Sequence, residues 1–106
     1  MKLISRAEEI ILTAILLLEG NAYGITIRDH ILKVTGHEWS FASIYSPLDK
    51  LKQKGFVEKE LGGATQERGG RNKYLYVITE TGKEALREIR GIQNTIWGEI
   101  NPSILD

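Results

Sequence analysis

Glycines at positions 20, 36 and 55 each close a stretch in which apolar residues recur every third or fourth position. This punctuation constrains the fold more than any other feature of the chain. Glycine adopts the left-handed conformation that stops a helix at little cost. Apolar spacing of three and four marks one face of a helix. The first 55 residues therefore read as three short helices. None can bury its apolar face alone, so the three must share one core.

The first helix opens with Ser5-Arg6-Ala7-Glu8, the S-x-x-E form of a capping box. Ala7, Ile10, Ile11, Ala14, Ile15, Leu17 and Leu18 give it a broad apolar face, so it is expected to lie inside the domain. Asn21 is expected to cap a second helix over residues 22–35, with Ile27, Ile31 and Val34 turned to the core. The third helix spans residues 40–55. Ile44, Leu48 and Leu51 form its inward stripe, and Ser43, Ser46, Lys50 and Lys54 are expected to point away. Pro47 removes one helical hydrogen bond, which predicts either a late start near Ser43 or a kink.

Beyond Gly55 the period changes. Residues 56–61 and 73–78 read as two antiparallel strands, joined by a glycine- and arginine-containing loop over residues 62–72. Thr79, or Thr81 with Glu84, opens a last helix that Pro102 ends. In that helix Leu86, Ile89, Ile92, Ile96, Trp97 and Ile100 make one seam, and the chain has no element left to cover it. A second copy of the same helix is the simplest cover, so a homodimer is expected. The order of elements gives a mainly α fold with a small β-hairpin: a winged helix-turn-helix over residues 1–79, then a C-terminal dimerisation helix and tail over residues 80–106.

Charge locates the function. The whole chain is neutral, but residues 40–79 carry seven Lys/Arg against four Asp/Glu. A local excess of three positive charges steers anions whatever the total. The polar face of the third helix offers hydroxyls and ammonium groups, which bond base edges and phosphates. Ser40, Ser43, Ser46 and Lys50 are its DNA-binding candidates. Tyr45 suits either a phosphate contact through its hydroxyl or a purely structural role. Arg68, Arg71 and Lys73 are candidates in the hairpin, where arginines beside glycines can follow the backbone or enter the minor groove. A neutral total charge keeps open a rival reading, a winged-helix module that binds protein and not DNA.

Other classes find little support. The chain has no cysteine, and His30 and His37 lie seven residues apart without further ligands, so no metal or cofactor is expected. There is no nucleophile elbow, phosphate loop or isolated carboxylate pair, so no enzyme is expected. The apolar run at residues 10–18 is too short to span a bilayer, and the N-terminus lacks a cleavage pattern. A cytoplasmic location without membrane attachment is the expectation.

The sequence resembles the PadR family of bacterial transcriptional regulators over nearly its whole length. The residues that carry the resemblance are Ala22-Tyr23-Gly24, Ser43-Ile44-Tyr45 with Leu48 and Leu51, Lys54-Gly55-Phe56-Val57, Glu67-Arg68-Gly69-Gly70-Arg71, Lys73-Tyr74 and Thr79-Glu80-Thr81-Gly82. Ile25 stands where many members have a second tyrosine, and Pro47 lies one position later than their usual proline. The resemblance implies a regulator, usually a repressor, that binds double-stranded DNA as a homodimer through its C-terminal helix. It adds Tyr23 to the DNA-binding candidates. It also permits a small apolar effector between the subunits, for which Trp97 would be either a flat wall or simply an interface anchor.

Overall fold

A computed structural model describes residues 4–64 and 72–106, without the side chains of residues 63, 64, 72 and 73. Three helices come first: α1 (Arg6–Leu17), α2 (Gly24–Thr35) and α3 (Phe41–Gln53). A hairpin of β1 (Val57–Ala64) and β2 (Asn72–Ile78) follows, then α4 (Glu80–Gly98) and a 3-10 turn at Pro102–Leu105.

Helix α1 is the hub. It packs against α2, α3, β2 and α4. Its capping box forms as the spacing predicts: the Glu8 amide donates to Ser5 Oγ at 3.1 Å and the Ser5 amide donates to Glu8 Oε1 at 2.9 Å. Ile11, Leu12, Ala14 and Ile15 are buried. Two details depart from the expected face. Leu12 is buried, because a helix enclosed on several sides hides more than one stripe, and Leu17 is 69% exposed on the opposite side.

Glu8 is also buried, and its charge is answered by Lys54, whose Nζ lies 2.7 Å from Oε2. Burial pushes the Glu8 carboxyl up. The Lys54 hydrogen bond, the Ser5 amide and hydroxyl, and the Lys54 charge together outweigh burial and hold it below its ordinary value. Lys54 therefore turns inward from the end of α3 to α1, not outward with the polar face as its helical phase suggested. A buried carboxylate captures the nearest flexible ammonium.

Helix α2 starts later than expected. Its N-cap is Tyr23, not Asn21, and the Thr26 hydroxyl accepts from the Tyr23 amide at 3.0 Å while donating to the Asn21 carbonyl at 2.6 Å. Ala22 stays outside the helix and is fully buried, and its carbonyl accepts from the Tyr76 amide of β2 at 2.8 Å. That bond joins the helical layer to the hairpin, which is why helix formation waits until Gly24. Ile27 and Ile31 are buried, but Val34 is 58% exposed, since the last turn of α2 runs beyond the core.

In α3, Ile44, Leu48 and Leu51 are fully buried, as their spacing requires. Pro47 lies inside a helix that begins at Phe41, ahead of the late start near Ser43. The Ser40 hydroxyl accepts from the Ser43 amide at 3.1 Å and caps it. Gly20, Gly36 and Gly55 all have positive φ, between 75° and 80°, so each of the three stops is left-handed.

Both strands run further than predicted at the loop end, while β1 starts one residue later, at Val57 and not Phe56. Gly62, Gly63 and Ala64 belong to β1, and Asn72 to β2. The pairing includes Val57 with Ile78, Lys59 with Tyr76, Leu61 with Tyr74 and Ala64 with Asn72. The register shifts between Leu61 and Ala64, where the two glycines let the backbone bulge. The base of the hairpin is fastened to α4. Thr79 caps that helix by accepting from the Gly82 amide, and its hydroxyl donates to the Gly55 carbonyl at 2.7 Å. Gly82 is buried so closely that an added Cβ would overlap the Phe56 carbonyl oxygen.

Among the described residues, no helix is long and apolar enough to cross a membrane, and no group of ligating side chains is placed to hold a metal ion.

Candidate nucleic-acid interface

The core fixes which side of α3 faces solvent. With Ile44, Leu48 and Leu51 clamped inward, Ala42, Ser43, Ser46, Asp49, Lys50, Lys52 and Gln53 are all exposed. The candidates Ser46 and Lys50 are exposed on this surface, and among the described residues their side chains make no hydrogen bond or ion pair. Ser40 and Ser43 share a hydroxyl–hydroxyl hydrogen bond of 2.9 Å at the helix start, so the cap also places two hydroxyls at one edge of the exposed face.

Tyr45 is 40% exposed, with its ring stacked on Phe41 at 6.2 Å between centroids. Its hydroxyl rests against Gly24, where any Cβ would overlap it. Gly24 is thus required by close approach: α2 and α3 meet across a phenol that fills the space of a side chain. Phe41 also receives the Arg28 guanidinium over its face at 4.7 Å. Arg28 in turn donates to the Trp39 carbonyl at 2.8 Å and pairs with Glu38. These contacts lock the connection from α2 into α3. Trp39 is partly buried against the core. Tyr23 is partly buried at the N-cap of α2, close to the same corner.

The hairpin stands beside α3. Tyr76 is buried at its base, and its hydroxyl is pushed up to about 12, first by burial and then by its electrostatic neighbours, the phenols of Tyr45 and Tyr74 and the Asp49 carboxylate. That phenol stays neutral, and its surroundings show that β2 and the exposed edge of α3 converge. Further out on the same face of the hairpin, Lys59 lies over the Tyr74 ring at 4.2 Å, and Tyr74 and Leu61 are exposed. The sequence reading missed Lys59 and Tyr74. The signal was their alternation with buried Val57 and Tyr76, which puts all four on one face. It also missed Gln53, which occupies the exposed line of α3 one turn past Asp49.

Arg68 and Arg71 lie outside the described residues, and so does the side chain of Lys73, whose backbone belongs to β2.

On the far side of the molecule, α4 joins the core through Ala85 and Leu86 and is tied to α1 by Gln93, whose Nε2 donates to Glu9 at 3.0 and 3.1 Å. Ile89 and Ile100 are half-buried, while Ile92, Ile96 and Trp97 are 44%, 51% and 56% exposed. A groove of about 560 Å³ between α1 and α4 is lined by Leu16, Leu86, Arg87, Arg90 and Gln93 among others, and Trp97 is not part of it.

The fold is shared. Solved structures of the same fold include a PadR-like transcription factor from Bacteroides fragilis, 26% identical, covering 84% of this chain and 81% of that one with a TM-score of 0.68. A PadR family regulator from Clostridium difficile is 22% identical over 96% of this chain and 100% of that one, with a TM-score of 0.68. Bacillus subtilis PadR in complex with operator DNA is 24% identical over 76% of this chain and 45% of that one, with a TM-score of 0.61. No curated protein sequence matches the chain significantly. The family model for PadR-like transcriptional regulators matches residues 11–88, from the hub helix through both strands into the first half of α4. With the greater part of α1, all of α2 and α3, both strands and the Ala85–Leu86 contact of α4 inside that span, the chain belongs to the PadR-like family of transcriptional regulators.

Proposed function

We propose that this chain regulates transcription as a homodimer on a roughly palindromic operator, as a repressor working in the cytoplasm. Residues 1–79 bind the duplex and residues 80–106 pair the copies. Helix α3 of each subunit enters a major groove about one helical turn from its mate, and the wings straddle the flanking backbone. The observation that carries this reading is the exposed face of α3. It keeps Ser46, Lys50 and Gln53 exposed and clear of the core, next to a hairpin bearing Lys59 and Tyr74.

The family is one of regulators and not of enzymes. Exposed Ile92, Ile96 and Trp97 on α4 support pairing, because a monomer would leave a continuous apolar seam in water. A small apolar effector lodged beside Trp97 would release DNA by changing the spacing of the two heads.

Anisotropy titration with a random duplex at two salt concentrations tests the central point. A DNA binder shows affinity that falls steeply with salt, since each phosphate contact releases counterions. Absence of any salt-sensitive affinity would favour the neutral chain as a protein-binding adaptor.

A further inference from the structure

Helix α3 carries its exposed side chains on parallel lines, set by 3.6 residues per turn. Directly opposite the buried stripe of Ile44, Leu48 and Leu51 run Ala42, Ser46, Asp49 and Gln53, at spacings of four, three and four. Ser43 and Lys50 flank this line on one side, and Tyr45 and Lys52 on the other. Among the described residues, the side chains of Ser46, Asp49 and Gln53 make no hydrogen bond or ion pair. A helix laid in a major groove turns its outermost line to the groove floor and its flanks to the phosphate walls. The central line of α3 holds an amide and a carboxylate, while the charges suited to phosphates sit on the flanks.

We propose that Ser46, Asp49 and Gln53 read the bases, with Asp49 acting as a selector. This rests on duplex DNA being the partner. A carboxylate brought between two phosphate strands is repelled by every sequence. It is compensated only where an amino donor faces it, the N4 group of cytosine or the N6 group of adenine. Asp49 therefore lowers affinity for wrong sites more than for the right one, which is specificity through repulsion. Gln53, one turn further on, matches adenine through N6 and N7, with the carbonyl accepting and the amide donating. Ser46 accepts or donates according to the base it meets. Lys50 and the Ser40–Ser43 hydroxyls are left to hold the backbone.

The test is in vitro selection of bound duplexes with the wild-type chain, Asp49→Asn, Gln53→Ala and Ser46→Ala, followed by anisotropy on the selected and a scrambled duplex at one salt concentration. All three positions are exposed, so matched unfolding curves are expected. Asp49→Asn should bind the scrambled duplex several-fold more tightly and lose the base preference at one step of each half-site. Gln53→Ala should weaken binding to the selected duplex roughly 5- to 150-fold, the range for one bidentate base contact, and leave the scrambled duplex within about twofold. Variants that all select the wild-type sequence with an unchanged ratio of affinities would overturn the assignment while leaving DNA as the partner. A wild-type chain with no salt-sensitive affinity for random duplex would remove DNA as the partner, and this assignment with it.

Discussion

Replacing Lys54 by methionine isolates the one buried charge pair in the described core. Methionine keeps most of the apolar stem and removes the ammonium. Glu8, only 4% exposed, would keep its bonds from the Ser5 amide but lose the partner 2.7 Å from Oε2. Breaking a fully buried pair costs about 3–5 kcal/mol. The Lys54 side chain is 28% exposed, so water reaches the orphaned oxygen and the expected cost is about 2 kcal/mol at pH 7. For a domain of this size that lowers Tm by roughly 10 °C. The pH dependence gives the sharper signature. The folded carboxyl of Glu8 is held below its ordinary value of 4.5, so its contribution is present above that value and is lost as pH falls through the folded one. Without the Lys54 hydrogen bond and charge, the carboxyl rises. The variant is then able to protonate Glu8 at a milder pH, and its deficit shrinks as the solution is acidified towards pH 4. Urea unfolding of both proteins from pH 7 to pH 4, at one fixed protein concentration, measures this directly. A deficit below about 0.5 kcal/mol, or one that stays constant or grows in acid, would refute the coupling. A cycle with Glu8→Gln separates the pair from lost packing.

The other predictions concern closer packing, pairing and phosphate contact. Gly82→Ala forces a Cβ onto the Phe56 carbonyl oxygen and to 2.8 Å from Ile78 Cγ1, so thermal melting should show a loss of about 2–3 kcal/mol; an unchanged Tm would mean that α4 can shift away from the hairpin. Ile96→Asp lies at a position 51% exposed in the single chain and should leave the fold intact while yielding monomers in sedimentation; a persistent dimer would place the interface elsewhere. Lys50→Ala should reduce the slope of log affinity against log salt by about one without changing stability, and an unaltered slope would take Lys50 off the phosphate backbone.

Much of this molecule was legible in its residues. Three periodic segments with glycine stops, a capping box at Ser5 and the inward stripe of α3 are local patterns, and the folded chain follows them because each is set within a turn or two of helix. Local pattern also gave the hairpin and the family resemblance. What it left open depends on neighbours distant in sequence. The late start of α2 follows from the bond between Ala22 and Tyr76, 54 residues apart by their numbering. The inward turn of Lys54 depends on a carboxylate on α1. The need for glycine at 24 and 82 arises from a phenol and a carbonyl brought there by tertiary contact. The grouping of Lys59 and Tyr74 beside α3 depends on strand register. Helix phase alone assigns a side chain to a direction. Only the assembled core decides what waits there, because a buried charge or a filled gap is settled by the nearest available partner in space.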